Sequence, residues 1–323
     1  MKYRRLGSTD LEVSEISLGC WTLGGLNWHN GQPSGWADVD EDDAVEAIRY
    51  ALDHGVNHFD NADVYGNGKA EQLLARALGD RNNKAVVATK VGWFSGTAAH
   101  AYEPLHIRHQ CEQSLINLRR DHIDLYYFHH GDFGVNDRYL DEAAAMMLKL
   151  KEEGKIRYIG LSAYSSRDFL KLIPSVRPDV VQSWANILDD QFIRENMPVT
   201  RLMREHHISF VAFSPLAQGL LLDRYSSKAP PVFPEGDHRR TDKRFSQAYL
   251  SRLEPKMEKL KERFGRGADD LSRVALQYVL SHDTVGCVIP GFRNKAQVEQ
   301  NLAQADKPLS GEDIRYIQDI FNA

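Results

Sequence analysis

Short apolar runs alternate with longer amphipathic stretches along nearly the whole chain. The apolar runs are rich in β-branched and aromatic residues and have the length of strands, whereas the stretches between them repeat apolar residues at helical spacing. Residues 40–54 are an example, because Ala44, Ala47 and Ile48 share one face and Asp40 can cap the first turn. The pattern therefore predicts strands and helices that alternate regularly.

The pattern predicts eight strands and at least nine helices. The strands are 16–20, 56–59, 85–89, 123–128, 156–161, 180–182, 208–213 and 285–289. The helices are 40–54, 70–78, 105–118, 141–153, 166–173, 199–207, 247–264, 268–280 and one that begins near Lys295. Two long loops interrupt the pattern, one at residues 24–36 with glycines and tryptophans, and one at about residues 216–245 with three prolines.

Eight predicted strands, each followed by a helix, favour a parallel sheet, because parallel strands are joined by helical crossovers. No two-residue β-hairpin is predicted. Asn30-Gly31 is a common hairpin turn, but it lies in a predicted loop and is not flanked by alternating apolar and polar residues. A doubly wound open sheet would predict a Gly-x-Gly-x-x-Gly turn, and Gly66-Asn67-Gly68 lacks the third glycine. The expected fold class is α/β, a (β/α)8 TIM barrel.

Composition and charge limit the kinds of molecule that the protein is expected to bind. The chain has 323 residues, 42% of them hydrophobic, which is enough for a sizeable core. A net charge of -5 and an isoelectric point near 6.2 leave no large basic patch, so neither nucleic acid nor an anionic membrane is an expected partner. Residues 1–7 show no secretory signal and no stretch is apolar enough to cross a bilayer, so a cytoplasmic location is expected.

Residues suited to proton transfer follow the apolar runs. Asp60 comes directly after the second predicted strand with Tyr65 five positions later, Lys90 follows the third strand, and His129 follows the fourth. Each alone has a structural explanation, such as a turn cap, a solvated lysine or a packing tyrosine. A barrel, however, gathers its strand ends at one rim, where these four side chains would share a pocket.

The four residue types also fit one chemistry. A free tyrosine has a pKa of about 10, and a nearby ammonium such as Lys90 is expected to lower the pKa of Tyr65. Asp60 would hold Lys90 in place, and His129 would hydrogen-bond a substrate carbonyl oxygen. Such a set is a general acid for an oxygen that becomes an alkoxide.

A metal site is not expected. The cluster offers one carboxylate and one imidazole around a lysine, and the consecutive His129 and His130 would point to opposite faces of a strand. The three cysteines, Cys20, Cys111 and Cys287, are far apart without metal-ligand spacing, and they are expected to be buried free thiols.

Three motifs resemble the aldo-keto reductase superfamily. They are Phe59-Asp60-Asn61-Ala62-Asp63-Val64-Tyr65-Gly66 with Glu71 following, Ala88-Thr89-Lys90-Val91-Gly92, and Asp124-Leu125-Tyr126-Tyr127-Phe128-His129. The resemblance implies one barrel domain over residues 1–323 and an NAD(P)H-dependent enzyme that reduces aldehydes or ketones or runs the reverse oxidation. It also implies a catalytic tetrad of Asp60, Tyr65, Lys90 and His129, with tyrosine as the acid in reduction and the base in oxidation.

The same resemblance implies where NADPH or NADP+ would bind, with NAD as a possibility. The expected cofactor contacts are Gly19, Trp21, Ser162, Gln182, Phe213, Ser214, Pro215, Leu216, Gly219, Arg224, Gly291, Arg293, Gln297, Gln300 and Asn301. Ser162 and Gln182 match carboxamide contacts, and Phe213 matches a residue that stacks on the nicotinamide. Arg293 and Lys295 can meet a 2′-phosphate, although a solvated helix start explains them as well.

Two positions depart from the family pattern, because Ala163 replaces a common asparagine and Gln300 a common glutamate. The substrate is expected to be a small-molecule carbonyl or alcohol, and the expected substrate contacts are Trp28, Trp93 and Phe94. Asn27, His29 and Gln32 add polar groups that leave a sugar or polyol open. Two alternatives therefore remain, an NAD-dependent sugar or polyol dehydrogenase and a nucleotide-sensing accessory subunit with little turnover.

Overall fold

The computed structural model describes residues 1–29, 32–37 and 39–321, with only the backbone described at positions 28, 29 and 32. The strands within these residues are β1 (Tyr3–Arg5), β2 (Glu12–Ser14), β3 (Leu18–Gly19), β4 (Leu26–His29), β5 (Gln32–Gly35), β6 (His58–Asp60), β7 (Val86–Val91), β8 (Ile123–Phe128), β9 (Ile156–Ser162), β10 (Val180–Trp184), β11 (Ser209–Phe213) and β12 (Val285–Ile289). The α-helices are α1 (Glu41–Asp53), α2 (Lys69–Leu78), α3 (Pro104–Leu118), α4 (Leu140–Glu152), α5 (Ser166–Val176), α6 (Pro198–Glu205), α7 (Gln247–Phe264), α8 (Ala268–Leu280), α9 (Lys295–Leu302) and α10 (Gly311–Phe321).

The central sheet is a parallel barrel. Its strands follow the chain in the order β3, β6, β7, β8, β9, β10, β11 and β12. Parallel bridges between Ile16 and Val288 and between Gly19 and Gly291 join the first strand to the last. The predicted (β/α)8 barrel and all eight predicted barrel strands are therefore confirmed.

The burial pattern explains why this arrangement is stable. Every residue of β8 is buried, which is typical of a parallel strand covered by the barrel interior on one face and by helices on the other. Asp40 caps α1 as predicted, because its carboxylate accepts from the backbone N–H groups of Asp42 and Asp43. The three cysteines are buried and unpaired, also as predicted.

An N-terminal hairpin closes the barrel at the amino ends of its strands. Strands β1 and β2 pair antiparallel, and Leu6, Leu11 and Val13 pack with residues of the barrel interior such as Leu125 and Val211. The hairpin was not predicted, since its strands are short and partly exposed. It leaves the other end of the barrel, where the carboxyl ends of the strands lie, for the site.

The prediction of a loop at residues 24–36 is wrong, because this segment contains a second pair of antiparallel strands. Strands β4 and β5 are in register from Leu26–Gly35 to His29–Gln32, so only Asn30 and Gly31, which lie outside the described residues, separate them. No alternation of apolar and polar residues flanks Asn30-Gly31, so this turn signal alone did not predict a hairpin.

The long loop after β11 contacts this second hairpin. It is irregular as predicted, apart from 3-10 turns at Ala217–Leu222, His238–Thr241 and Lys243–Phe245. We call residues 233–245 the covering loop. Gly35 N–H donates to the Gly236 carbonyl at 3.0 Å, and Gly35 also forms a bridge with Asp237. Loops from the first and seventh barrel strands therefore meet above the carboxyl ends of the strands. No helix in the described part of the chain is long and apolar enough to span a membrane.

Candidate active site

A cavity of about 830 Å³ opens at the carboxyl ends of the barrel strands. Asp60, Tyr65 and His129 line it, and Lys90 lies buried directly behind them. All of the residues that the resemblance assigns to the cofactor line the same cavity: Gly19, Trp21, Ser162, Gln182, Phe213, Ser214, Pro215, Leu216, Gly219, Arg224, Gly291, Arg293, Gln297, Gln300 and Asn301. The structure therefore brings the two predicted groups of residues together.

Lys90 is the centre of the polar cluster at the base of the cavity. Its ammonium pairs with the Asp60 carboxylate and donates to the Asn61 carbonyl at 2.7 Å. It also donates to Tyr65 Oη at 3.4 Å. The Lys90 side chain is 1% exposed, and a buried ammonium is tolerated only when its hydrogens are satisfied in this way.

Asp60 and His129 complete the arrangement. The second Asp60 oxygen accepts from Gln182 Nε2 at 2.7 Å, so the carboxylate is held from two sides. The His129 ring packs edge-to-face against the Tyr65 ring with their centroids 5.8 Å apart. The phenol and the imidazole therefore lie beside each other on the cavity wall.

The pKa of Tyr65 differs from the sequence-based expectation. Burial, followed by the charge of Asp60, raises the pKa of Tyr65 well above its usual value. The net shift is therefore opposite to the expected lowering, because its largest cause is the cost of forming a phenolate away from water. The phenol holds its proton at neutral pH, which is the form that a general acid needs.

His129 is a neutral imidazole in this setting. Burial, followed by the charge of Lys90, lowers the pKa of His129 well below its usual value. Its Nδ1 is buried and has no hydrogen-bond partner among the described residues. A neutral ring carries one N–H, which can donate to an oxygen without adding a second positive charge beside Lys90.

Backbone shape makes room along the rest of the cavity. A Cβ on Gly19 would lie 2.9 Å from the Ile289 carbonyl oxygen, and one on Gly291 would lie 3.0 Å from the Thr22 methyl group. Glycine is needed at Gly19 for the close strand contact, and at Gly291 it avoids crowding the Thr22 side chain. The Asn301 side chain is 2% exposed, and its Nδ2 has no partner within the described part of the chain. A buried amide donor of this kind calls for an acceptor from a ligand.

The residues after β11, which form part of the cavity wall, have a strained backbone conformation. Ser214, Ala217 and Gln218 have φ values of 53°, 46° and 57°, a region that costs about 1–3 kcal/mol for residues other than glycine. The Asn186 amide supports this turn by donating to the Ser214 carbonyl at 3.1 Å. Strained backbone is retained where the resulting shape is used, and in this barrel it forms the cavity wall.

Of the basic residues predicted near the cofactor, two arginines line the cavity and one lysine does not. Arg293 lines the cavity with its guanidinium 5.9 Å from the centre of the Trp36 ring, and Arg224 donates to the Gln300 side chain at 2.8 Å. Lys295 does not line the cavity. Its ammonium lies 3.5 Å from the Glu46 carboxylate, so of Arg293 and Lys295 only Arg293 lines the cavity.

Two further arginines of the cavity wall, Arg239 and Arg244, were missed by sequence reasoning. Each one pairs with the aspartate two residues before it, Asp237 or Asp242, which also caps the 3-10 turn that follows it. The repeated Asp-x-Arg spacing was the available signal. The Arg239 guanidinium also lies 4.5 Å from the centre of the Trp36 ring, which fixes the covering loop against the residue that follows β5.

The predicted substrate contacts have different outcomes. Trp93 lines the cavity, with its ring centre 6.2 Å from that of His129. Phe94 is not among the lining residues; it is 40% exposed and its ring lies near His106, on the outside of the loop. The Trp28 side chain lies outside the described residues. Tyr164 and Trp184, which sequence reasoning missed, stack on each other and line the cavity.

Comparison with known proteins agrees with this geometry. The sequence model of the aldo/keto reductase family matches residues 15–322, and the chain belongs to this family. It is 29% identical to the uncharacterized oxidoreductase YqkF of Bacillus subtilis (strain 168), over 100% of this chain and 99% of that protein.

Two solved structures are similar over nearly the full length. The holo form of aldo-keto reductase AKR11C1 from Bacillus halodurans has a TM-score of 0.79 and 30% identity, covering 99% of this chain and 96% of that one. Glycerol dehydrogenase AKR11B4 from Gluconobacter oxydans has a TM-score of 0.80 and 28% identity, covering 99% and 94%. The protein is an oxidoreductase of the aldo-keto reductase family with a TIM-barrel fold.

Proposed function

We propose that the protein is an NADP(H)-dependent oxidoreductase that reduces aldehydes or ketones to alcohols, or runs the reverse reaction, with Tyr65 as general acid and base. The observation that carries this proposal is the Lys90 ammonium 3.4 Å from Tyr65 Oη, held by Asp60 at the base of an open cavity. A buried phenol beside a fixed positive charge is suited to give up its proton only as negative charge develops on it.

The residues present fit a nicotinamide dinucleotide. A cavity of about 830 Å³ is within the usual range for ligand sites, and it extends from Ser162 and Gln182 to Asn301. Gln182 uses its amide nitrogen on Asp60, which leaves its oxygen to accept from a carboxamide. A dinucleotide bound there would supply the reducing equivalents.

The protein's own side chains orient the substrate and transfer the proton. His129 donates a hydrogen bond to the carbonyl oxygen and orients it toward Tyr65 Oη. Tyr65 transfers its proton to that oxygen, and the Lys90 ammonium stabilises the phenolate that remains. Asp60 keeps Lys90 at the required distance. In alcohol oxidation the phenolate takes the proton back.

Arg293 supports NADP(H) over NAD(H). An arginine presents a planar fork of donors that matches a phosphate oxygen pair. Arg293 lines the cavity with Gln297, whose Oε1 accepts from the Arg293 backbone N–H at 2.8 Å. An NAD-dependent polyol dehydrogenase is the second candidate. It is favoured by the likeness to a glycerol dehydrogenase and by the polar Asn27 in the cavity wall.

A direct assay tests the proposal. Purified protein is expected to oxidise NADPH in the presence of 4-nitrobenzaldehyde or methylglyoxal. Tyr65→Phe removes only the hydroxyl and is expected to lower kcat by at least about a hundredfold, while NADPH still quenches tryptophan fluorescence. Unchanged turnover in Tyr65→Phe contradicts the acid assignment. Tight NADPH binding without turnover by the wild type would instead favour a nucleotide-sensing role.

A further inference from the structure

The turn after the first barrel strand packs directly on the turn that carries Tyr65. A Cβ on Gly24 would lie 2.6 Å from both the Tyr65 carbonyl carbon and the Gly66 nitrogen. A Cβ on Gly66 would lie 2.2 Å from the Gly24 carbonyl oxygen. No side chain fits between the two backbones, so the segment that leads into β4 lies directly against the turn that carries Tyr65.

Asn27 is the hairpin residue that fixes this contact. Its Oδ1 accepts from the Gly66 N–H at 2.5 Å, and Asn27 lines the cavity together with Tyr65. Because a backbone N–H can only donate, the amide oxygen must face Gly66. Asn27 lines the cavity, and with its oxygen on Gly66 its NH2 group is the donor that remains for a ligand there, beside the turn that carries Tyr65.

We infer that Asn27 selects substrates that carry a hydroxyl group next to the reacting carbonyl, that is, α-hydroxy aldehydes and ketones and the corresponding vicinal diols. The inference rests on the proposed function, since it places the reacting oxygen on Tyr65 and His129. The Asn27 NH2 group donates to the neighbouring hydroxyl oxygen.

Selectivity for hydroxylated substrates comes from the free-energy cost of leaving the Asn27 NH2 group without a hydrogen-bond acceptor. In the empty cavity water can satisfy the Asn27 NH2 group. A purely hydrocarbon substrate would cover this donor and leave it unpaired, whereas a hydroxylated substrate replaces the lost water. Trp21, with its ring centre 6.3 Å from that of Tyr65, and Trp93 beside His129 flank the reacting end, so a bound substrate displaces water there.

A matched pair of substrates tests the inference. The aldehydes 2-hydroxypropanal and propanal differ by one hydroxyl, and the wild type is expected to prefer the former by about tenfold in kcat/KM. Asn27→Asp keeps an oxygen for the Gly66 N–H and exchanges the donor for a second acceptor. Because the substrate hydroxyl can itself donate to this carboxylate, Asn27→Asp is expected to keep the anchor and part of the preference, and the loss of preference is measured on Asn27→Leu. NADPH binding, followed by tryptophan quenching, reports that each variant is folded.

A second variant separates selection from anchoring. Asn27→Leu loses both the anchor and the donor, so activity on both aldehydes is expected to fall and the preference for 2-hydroxypropanal to disappear. If Asn27→Leu lowers both kcat/KM values by the same factor, Asn27 only anchors the turn and the inference is overturned. A wild type that reduces both aldehydes equally overturns the inference and leaves the proposed function intact. Reduction of neither by the wild type, with NADPH or NADH, overturns the proposed function itself.

Discussion

The Lys90 ammonium lies 3.4 Å from Tyr65 Oη, and the same ammonium is the partner of the buried Asp60 carboxylate. One positive charge therefore neutralises a buried carboxylate and, in the proposed function, also stabilises the phenolate of Tyr65. Neither role can be removed without disturbing the other, because both side chains of the ion pair are nearly fully buried.

Lys90→Met tests this double role. The substitution keeps the side-chain length and leaves the Asp60 carboxylate buried without its ion partner, so the free energy of unfolding is expected to fall by about 3–5 kcal/mol. Reductase kcat is expected to fall by at least about a hundredfold. Urea unfolding and steady-state kinetics measure the two effects. The double variant Asp60→Asn with Lys90→Met removes the unpaired charge, so it should regain stability but not activity. Recovery of activity in the double variant would contradict the role of Lys90.

The pKa of Tyr65 sets opposite pH dependences for the two directions. Burial raises this pKa well above its usual value, so the protonated acid predominates at every pH below about 9. Carbonyl reduction is therefore expected to be nearly independent of pH between about 6 and 9. Alcohol oxidation needs the phenolate, whose fraction rises about tenfold per pH unit in this range, so its kcat/KM should rise with pH. A fall in reduction with a midpoint near neutral pH would contradict the assignment.

Arg293→Ala tests the cofactor preference. Loss of the guanidinium is expected to weaken NADPH binding about tenfold and leave NADH binding nearly unchanged, because only NADPH carries the 2′-phosphate. Lys295→Ala is the matched control: its positive charge is two residues away, yet its ammonium pairs with Glu46 and it does not line the cavity. Fluorescence titration with both cofactors gives the ratio. Equal loss for NADPH and NADH in Arg293→Ala would favour the NAD-dependent alternative.

The barrel and the central cluster could be predicted from the sequence because both depend on local pattern. Apolar runs mark the strands, and a residue that follows a parallel strand must emerge at the barrel rim. The position of Asp60, Lys90 and His129 at one rim therefore follows from where each run ends.

The errors arise where long-range contacts decide the outcome. The hairpin of β4 and β5 is hydrogen-bonded to the turn that carries Tyr65 and to the covering loop, both of which are distant in sequence. The charge state of Tyr65 depends on burial, which no residue spacing reveals. Lys295 and Phe94 lie within two residues of lining residues in sequence, but their contacts with Glu46 and His106 place their side chains on the outer surface.

Gly35→Ala tests whether the contact between the hairpin and the covering loop matters for cofactor binding. Gly35 has a φ of 145°, and a Cβ there would lie 2.4 Å from the Gly25 carbonyl oxygen, so the substitution must shift the hairpin. The Gly35 N–H would then lose the Gly236 carbonyl, and the covering loop would lose its attachment. The Kd for NADPH is expected to rise several-fold.

Gly25→Ala is the matched control for Gly35→Ala. Gly25 also has a positive φ, of 73°, but nothing lies within 4 Å of its Cβ position, so this variant carries backbone strain without the collision. Gly25→Ala is expected to lower the melting temperature by a few degrees and to keep its affinity for NADPH. Thermal unfolding and fluorescence titration of both variants separate the two effects. If the two variants bind NADPH equally well, the covering loop does not depend on the hairpin for its position.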